Sequence, residues 1–338
     1  MRKILVTGSA GFIGFHLCKR LLDKGFEVFG LDAMTDYYDV RIKQERHRLL
    51  STQSNRFSTR EFRLEDAPEL LDYACAIQPE IIVHLAAQAG VRYSLENPRA
   101  YIDTNIVGTF NIMECARELK IDHLLMASTS SVYGANVEMP FDERQKCDTP
   151  LTIYAATKKA NEAMGHSYSH LWSIPTTMFR FFTVYGPWGR PDMALFKFTK
   201  GILEGTPIDI YNHGDMWRDF TYVEDLVRGI HLLIDAPPPP VEDRDVAVPN
   251  DTLSRVAPFR IVNIGNSDKV RLLDFIEAIE KEVGVKAVRN YMNMQIGDVP
   301  ATWADASLLQ ALTGYTPQTD FRDGVRDFVA WYREYYKI

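Results

Sequence analysis

The sequence has few cysteines, and none of them are closely paired. Cys18, Cys75, Cys115 and Cys147 are scattered along the chain, which is not the spacing of a zinc site or a redox motif. The chain runs at once into a short apolar strand, where a secretory signal would have a longer apolar segment. These absences predict a reduced, cytoplasmic protein that uses no metal.

Long apolar runs and an excess of positive charge are also missing. No uninterrupted apolar run approaches the roughly 20 residues that span a bilayer, which argues against a membrane protein. The 338 residues include 38 Lys and Arg against 45 Asp and Glu, for a formal net charge of −7. Because an acidic chain repels nucleic acid and anionic membranes, a small-molecule partner is favoured.

What the sequence does contain is a repeated alternation of apolar strands and helical patterns up to residue 175. This alternation predicts an α/β protein with a Rossmann-like, doubly wound parallel sheet. We expect a first domain over residues 1–180, to which segments near 218–235 and 258–266 return. Residues 181–338 are expected to form a smaller C-terminal α/β cap domain that binds the substrate.

Two polar segments are predicted to face solvent. The arginine-rich segment 36–50 has the composition of a loop followed by a solvated helix. The stretch 236–258 begins with four consecutive prolines after Ala236 and stays polar, which is typical of an exposed insertion.

The first strand leads directly into a glycine-rich turn and a helical pattern. Glycines 8, 11 and 14 lie where free amides and the helix dipole form a phosphate cradle, and missing side chains allow close approach of a ligand. A plain strand-to-helix turn is the alternative. The next strand ends in Asp32, whose carboxylate can accept ribose hydroxyls and would repel a 2′-phosphate. The pattern therefore predicts NAD rather than NADP.

A second strand end and the helix after it suggest proton transfer. Thr129 ends a buried apolar strand, and Tyr154 and Lys158 lie four residues apart on one face of a predicted helix. A nearby ammonium favours the phenolate, so we expect the pKa of Tyr154 to be lowered from its ordinary value of about 10. A half-buried tyrosine beside a solvated lysine is the structural alternative.

Positive side chains cluster in the part of the chain that follows residue 186. Arg190, Lys197 and Arg218 supply cations in an otherwise acidic sequence. They suit a diphosphate or a carboxylate, with ordinary surface ion pairing as an equal alternative.

Together, the three glycines, Asp32, Thr129, Tyr154 and Lys158 resemble the extended short-chain dehydrogenase/reductase family over essentially the whole chain. Within it, the stretches 154–162, 180–193 and 211–216 are similar to those of UDP-glucuronate 4-epimerases. The resemblance implies a tightly held NAD, a UDP-sugar substrate and a homodimer formed through helices near residues 100–118 and 154–170.

The same resemblance implies roles for individual residues. The catalytic residues would be Thr129, Tyr154 and Lys158. The cofactor would contact the last two of these and Gly8, Gly11, Phe12, Ile13, Gly14, Asp32, Leu64, Leu85, Ala86 and Ala87. The substrate would contact Arg92, Thr129, Ser130, Ser131, Thr183, Arg190, Arg218 and Gln295, with the serines and Thr183 on the sugar carboxylate. Arg63 departs from the family pattern, which has an acid at that position, so Leu64 is expected to serve the adenine through its backbone.

The resemblance implies C4 epimerisation of UDP-glucuronate to UDP-galacturonate through a transient 4-keto sugar. Related dehydratases have Asp-Glu directly after the catalytic Thr and decarboxylases have Ser-Glu, whereas this chain has Ser130-Ser131. The alternatives are decarboxylation of UDP-glucuronate or 4-epimerisation of UDP-glucose. A non-catalytic NAD-sensing scaffold is disfavoured by the complete set of Thr129, Tyr154 and Lys158.

Overall fold

A seven-stranded parallel sheet forms the centre of the protein, whose computed structural model describes residues 1–243 and 248–338. Its strands are β1 (Lys3–Thr7), β2 (Glu27–Asp32), β3 (Phe57–Glu61), β4 (Ile81–His84), β5 (His123–Thr129), β6 (Thr176–Phe181) and β11 (Phe259–Ile264). They lie in the order β11-β6-β5-β4-β1-β2-β3, and each neighbouring pair is parallel. The order reverses at β1, as in a doubly wound sheet.

Helices connect these strands and continue to the end of the chain. They are α1 (Phe12–Asp23), α2 (Val40–Gln53), α3 (Ala67–Ile77), α4 (Tyr93–Glu96), α5 (Pro98–Tyr101), α6 (Thr109–Leu119), α7 (Ile153–Trp172), α8 (Ala194–Glu204), α9 (Val223–Ile234), α10 (Leu272–Val283), α11 (Ser307–Thr313) and α12 (Phe321–Tyr336). A π-helical stretch, Ile102–Gly108, joins α5 to α6, and 3₁₀ turns cover Ser130–Tyr133 and Tyr211–Gly214.

Short strands belong to the part of the chain after residue 181. They are β7 (Thr183–Tyr185), β8 (Ile208–Ile210), β9 (Trp217–Arg218), β10 (Phe220–Tyr222), β12 (Val270–Arg271), β13 (Arg289–Tyr291) and β14 (Ala301–Thr302). β7 pairs with β10, β8 pairs with β13, and β9 lies between β12 and β14. These small ribbons carry several side chains of the site described below.

The two faces of the main sheet bury separate hydrophobic clusters. Within β1, Ile4 and Val6 join one cluster while Leu5 joins the other, because successive side chains of a strand point to opposite faces. Helices therefore cover both faces, and the predicted parallel, doubly wound sheet is confirmed. A third cluster joins α8, α10 and α12, where the rings of Phe220 and Phe275 stack 3.8 Å apart.

The structure corrects the prediction of a solvated segment at 36–50, whereas residues 240–243 and 249–250 of the stretch 236–258 are exposed. In α2, Lys43, Arg46 and His47 are buried, because their polar atoms find partners inside the protein. In the stretch 236–258, residues 244–247 lie outside the described part of the chain. Near its end, however, Asp251 forms a buried ion pair with Arg260 of β11 at 2.8 Å. This part of the stretch packs along the edge of the sheet.

Candidate active site

One large cavity of about 990 Å³ opens at the carboxyl ends of the central strands. The ends of β1, β2, β4 and β5 form one wall, and residues between 181 and 218 form much of the other. Ligands of doubly wound sheets bind at this edge, where the strand order reverses. The cavity is therefore the candidate active site.

The turn between β1 and α1 is shaped by missing side chains. Gly8 has φ +71°, and a Cβ there would lie 2.8 Å from the amide nitrogen of Ala86. A Cβ at Gly11 would lie 2.9 Å from the carbonyl oxygen of Gly8, and one at Gly14 would overlap the same oxygen. Because Gly11 caps α1 without a side chain, the first helix amides face the cavity as an uncovered anion cradle.

Asp32 ends β2 at the same edge and is buried. Its Oδ2 accepts a hydrogen bond from the Ala10 amide at 3.1 Å, and its Oδ1 accepts one from the Met34 amide at 2.9 Å. The carboxylate also lines the cavity, where it can accept ribose hydroxyls. Asp32 thus organises the glycine turn in addition to facing the ligand.

The region expected to hold the adenine contains Arg63, where the family pattern has an acid. Arg63 lines the cavity with a largely exposed side chain, and its guanidinium lies 3.3 Å from the Glu65 carboxylate. Leu64 is buried, and its carbonyl accepts a hydrogen bond of 2.8 Å from Asn111. Leu64 is therefore held in place by a neighbouring helix while Arg63 stays at the rim.

Thr129, Tyr154 and Lys158 come together on the cavity wall. Thr129 is the last residue of β5, and Tyr154 and Lys158 lie one turn apart in α7. The helix starts where the Thr152 hydroxyl accepts a hydrogen bond from the Ala155 amide at 3.2 Å. This cap orients the first turn of α7, and with it Tyr154, towards the end of β5.

Burial changes the proton affinity of both groups on α7. It raises the pKa of Tyr154 above its ordinary value, although a hydrogen bond with Thr129 partly offsets that rise. It lowers the pKa of Lys158 to about 8, although the Glu162 carboxylate partly opposes that change. The predicted net lowering of the pKa of Tyr154 is wrong for this structure, because desolvation of the phenolate outweighs the interactions that favour it.

Lys158 is only 2% exposed as a residue and lines the cavity, and its ammonium forms no hydrogen bond with residues 1–243 or 248–338. Because a poorly solvated ammonium is stabilised by an acceptor, a ligand hydroxyl in the cavity at this point would be bound favourably. Together with the glycine cradle and the Asp32 carboxylate, this arrangement fits a dinucleotide with a phosphate centre and two riboses. The space between the glycine cradle and Lys158 is lined by the residues that follow β4, namely Leu85, Ala86 and Ala87.

A buried ion pair lies behind the catalytic residues. Glu162 of α7 receives two hydrogen bonds of 2.9 Å from Arg180 of β6 and one of 2.7 Å from the Ser128 hydroxyl of β5. Both charged side chains are nearly inaccessible to solvent. The pair ties α7 to β5 and β6 and so fixes Tyr154 relative to Thr129.

Hydroxyl groups continue the wall beyond Thr129. Ser130 and Ser131 begin the 3₁₀ turn after β5, and Thr183 begins β7 and lines the same cavity. The Thr129 hydroxyl donates to the Ser131 hydroxyl at 3.3 Å, and the Ser131 amide donates back to Thr129 at 3.2 Å. The structure thus gathers four predicted hydroxyl groups around one space.

Three arginines line the cavity, each close to a carboxylate. Arg190 forms two hydrogen bonds with Asp192, of 3.0 and 2.6 Å. Arg92 and Arg218 lie 3.7 and 4.0 Å from opposite oxygens of Asp298. Arg190 and Arg218 are 20% and 17% exposed and line the cavity, so these pairs belong to the site rather than to the outer surface.

Among the residues predicted from the sequence, Gln295 lies off the cavity wall. Its loop reaches the cavity two residues later, at Gly297, Asp298 and Val299. Sequence reasoning also missed Tyr37, Lys43, Asp192 and Asp298, which line the cavity. The pairing of arginine with nearby acids offered a signal for Asp192, whereas Lys43 and Tyr37 stand in a segment that resembles a solvated helix.

Within residues 1–243 and 248–338, no group of three or more His, Cys, Asp and Glu side chains is arranged to hold a metal ion. In the same part of the chain, no helix is both long and apolar enough to cross a membrane.

Known proteins resemble this chain along nearly its whole length. The model of the NAD dependent epimerase/dehydratase family matches residues 4–248. A probable UDP-glucuronate 4-epimerase of Rhizobium meliloti is 55% identical over 337 residues, which are 99% of this chain and 98% of that protein. UDP-glucuronate 4-epimerase 1 of Arabidopsis thaliana is 43% identical over 338 residues, covering 98% of this chain and 77% of the plant protein.

A solved structure is similar in the same way. The crystal structure of UDP-glucuronic acid 4-epimerase from Bacillus cereus, in complex with UDP-glucuronic acid and NAD, has a TM-score of 0.86 and 32% identity to this chain. The match covers 99% of this chain and 100% of the other. The likeness therefore includes both walls of the cavity.

Proposed function

The chain belongs to the NAD-dependent epimerase/dehydratase family, and on this basis we propose that it interconverts UDP-glucuronate and UDP-galacturonate by epimerisation at C4. The observation that carries the proposal is the meeting of Thr129, Tyr154 and Lys158 with a dinucleotide cradle in one cavity. The similar proteins of Rhizobium meliloti and Bacillus cereus support the choice of sugar nucleotide and of NAD as the cofactor.

The reaction begins with proton transfer at the sugar C4 hydroxyl. Tyr154 accepts the proton as a phenolate, and Thr129 holds the same oxygen by a hydrogen bond. Lys158 favours the phenolate electrostatically and binds a cofactor ribose hydroxyl, which gives its buried ammonium a partner. When bound, NAD supplies an acceptor for the C4 hydride and a donor that returns it. Because the net redox change is zero, the cofactor stays bound through turnover.

The sugar carboxylate creates a hazard that the site must control. Oxidation at C4 gives a β-keto acid, which loses CO₂ when the breaking bond aligns with the carbonyl π system. Ser130, Ser131 and Thr183 hold the carboxylate near the plane of the ketone, where its charge is stabilised and that alignment is denied. This arrangement favours epimerisation over decarboxylation.

The sugar turns over between the two hydride transfers while its nucleotide stays in place. Arg190, Arg218 and Arg92 bind the nucleotide end, since their side chains line the cavity and carry positive charge. Arginine suits this task because its planar donors match phosphate oxygens. Asp298, which lies near Arg92 and Arg218, balances their charges before the diphosphate binds.

The cofactor and the substrate bind to different domains, which follow one another along the chain. Residues 1–180, with returning segments at 218–235 and 258–266, form the NAD-binding domain, and residues 181–338 form the UDP-sugar domain. The pairing of β11 with β6 and the separate cluster around α8, α10 and α12 support this division.

The active form is a homodimer built through α6 and α7. Large apolar side chains on and beside these helices are more than 40% exposed, namely Ile102, Val107, Phe110, Ile153, Leu171 and Trp172. Exposed apolar surface of this kind is typical of protein–protein contacts. Cys18, Cys75, Cys115 and Cys147 are all free thiols, which supports a cytoplasmic location.

The test is to incubate the purified protein with UDP-glucuronate and no added NAD, then to separate the sugar nucleotides. We expect UDP-galacturonate to accumulate until both epimers reach equilibrium. Accumulation of a UDP-pentose instead would identify a decarboxylase, and turnover of UDP-glucose alone would exclude the uronic acid as the substrate. The Tyr154→Phe variant is the matched control for a contaminating epimerase.

A further inference from the structure

Arg46 of α2 is fully buried and stands outside the wall of the cavity. Its Nη1 donates to the carbonyl oxygen of Ala10 at 2.7 Å and to the hydroxyl of Tyr38 at 2.9 Å. Its Nη2 donates to the carbonyl oxygen of Trp188 at 2.6 Å. One guanidinium therefore joins the glycine turn to a loop on the other wall of the cavity.

The loop that Arg46 reaches is the one that carries Arg190. Trp188 has φ +59°, a left-handed conformation that is strained for a non-glycine residue, so the loop needs support from its surroundings. Support also comes from His16 of α1, whose Nε2 lies 2.9 Å from the carbonyl oxygen of Pro187. His16 and Arg46 thus hold the consecutive carbonyls of Pro187 and Trp188, which only Gly189 separates from Arg190.

A second set of hydrogen bonds also connects Arg46 with Arg190. Tyr38, which accepts from Arg46, follows Tyr37, whose hydroxyl donates to Asp192 at 3.2 Å. Asp192 in turn accepts both hydrogen bonds from Arg190. Contacts therefore connect Arg46 with Arg190 both through the backbone of Trp188 and through the neighbouring tyrosines.

We propose that Arg46 is a positioning residue that fixes Arg190 relative to the glycine turn, so that the cofactor and the diphosphate of the UDP-sugar are held in one relative geometry. This inference rests on the proposed function, which assigns Arg190 to the nucleotide end. It predicts that Arg46 controls affinity for a ligand it does not contact. The guanidinium reaches the Ala10 and Trp188 carbonyls from two different nitrogens, a fork of donors that the single nitrogen of a lysine does not reproduce.

The experiment measures binding of UDP by calorimetry to protein saturated with NAD. The variants are Arg46→Met, Arg46→Lys, Arg190→Met and the double variant Arg46→Met/Arg190→Met. Arg48→Met is the matched control, because Arg48 lies in the same helix with an exposed side chain that pairs with Glu45. Thermal unfolding of each variant shows whether it is folded at the temperature of measurement.

We expect Arg46→Met to weaken UDP binding by about tenfold, as expected for misplacing one charged hydrogen bond, and Arg48→Met to leave it unchanged. The double variant should bind UDP no more weakly than Arg190→Met, because both changes remove one interaction. Arg46→Lys retains the charge and should still weaken binding, which separates the geometry of the guanidinium from its charge.

Normal UDP affinity in both Arg46→Met and Arg46→Lys, with weakened binding in Arg190→Met, would overturn the inference and leave the proposed function intact. Additive losses in the double variant would also overturn it, since Arg46 would then act independently of Arg190. Normal affinity in Arg190→Met would remove the assignment of Arg190 in the proposed function and the inference with it. If UDP-glucuronate is not epimerised while the coupling is observed, the proposed reaction fails and the inference stands.

Discussion

The two walls of the cavity are constructed in opposite ways. At the glycine turn of the cofactor wall, space is made by side chains that are missing, and a single added Cβ would collide with the backbone. The wall proposed to face the UDP-sugar depends on side chains that are present, such as Arg190 and Arg218, each held near a carboxylate. The first wall is therefore damaged by adding atoms, whereas the second is damaged by removing them.

Tyr154 stands where the two walls meet, and its removal should have the largest effect. Tyr154→Phe removes the proton acceptor but keeps the ring, so we expect turnover of UDP-glucuronate to fall by roughly a hundredfold or more. Binding of UDP should remain normal. Steady-state rates and calorimetry measure the two quantities, with Tyr315→Phe as a control away from the cavity. Near-normal turnover would show that another group takes the proton.

Replacing Lys158 tests how much this buried residue of the cofactor wall lowers the free energy of unfolding. Its folded pKa of about 8 lies below its ordinary value of 10.5, so the buried ammonium destabilises the folded protein below pH 8 by on the order of 3 kcal/mol. Between pH 8 and 10.5 the unfolded chain binds more protons, and this cost disappears as the pH rises. Lys158→Met, freed of NAD, should therefore resist urea better than the wild type at pH 7, with the difference shrinking at pH 9.5. An equal difference at both pH values would contradict the assignment.

Asp32 lies in the cofactor wall, but it contributes through a side chain that is present. Its removal should therefore weaken ligand binding, as removal of an arginine does in the other wall. Asp32→Asn weakens the hydrogen bonds to the adenosine ribose, which should cost about 2 to 3 kcal/mol in NAD binding. The preference for NAD over NADP should narrow, because the negative charge that repels a 2′-phosphate is lost. Titration of both cofactors measures this, with Asp23→Asn as an exposed control. Equal affinity of the wild type for both cofactors would refute the role of Asp32.

Thr183 and Ser131 test the substrate wall at the sugar. Each hydrogen bond to a carboxylate contributes about 1.5 to 3 kcal/mol, which is enough to change a product ratio by about tenfold. Thr183→Ala or Ser131→Ala should therefore raise the fraction of UDP-4-keto-pentose relative to UDP-galacturonate. Both products are quantified at saturating UDP-glucuronate. A higher KM with an unchanged ratio would show that these hydroxyls only bind the substrate.

Gln295 marks the outer limit of the substrate wall and should have the smallest effect. Because Gln295 lies off the cavity, Gln295→Ala should change the KM for UDP-glucuronate by less than about twofold, within the range of surface substitutions. Arg218→Met provides the comparison, since Arg218 lines the cavity and its loss should raise the KM. A large effect of Gln295→Ala would show that its loop moves inwards when the substrate binds.

The contrast between the walls also explains what the sequence could predict. The glycine turn, Asp32 and the pair of Tyr154 and Lys158 are local patterns, because spacing along one strand or helix determines their geometry. The resemblance to the extended short-chain dehydrogenase/reductase family is confirmed over the whole chain. It brought Thr183 and Arg218 to the site from distant parts of the sequence.

The burial of individual side chains and their contacts with distant parts of the chain could not be predicted from these local patterns. Arg46 stands in a segment that looks solvated, and its partner Trp188 is 142 residues away. The pKa of Tyr154 was predicted with the wrong sign, since spacing reveals the nearby lysine but not the loss of solvent around the phenol. Gln295 was placed in the site by resemblance, whereas Asp298 of the same loop reaches it.

The last strand of the sheet has a consequence for how the protein is made. β11 pairs with β6 at the edge of the sheet, but it belongs to the final third of the chain. During synthesis the first six strands leave the ribosome well before β11, so β6 is for that interval an unpaired edge with exposed backbone donors and acceptors. Chains that terminate before residue 259 keep this edge open. They are expected to aggregate even though every residue named in catalysis has already been synthesised.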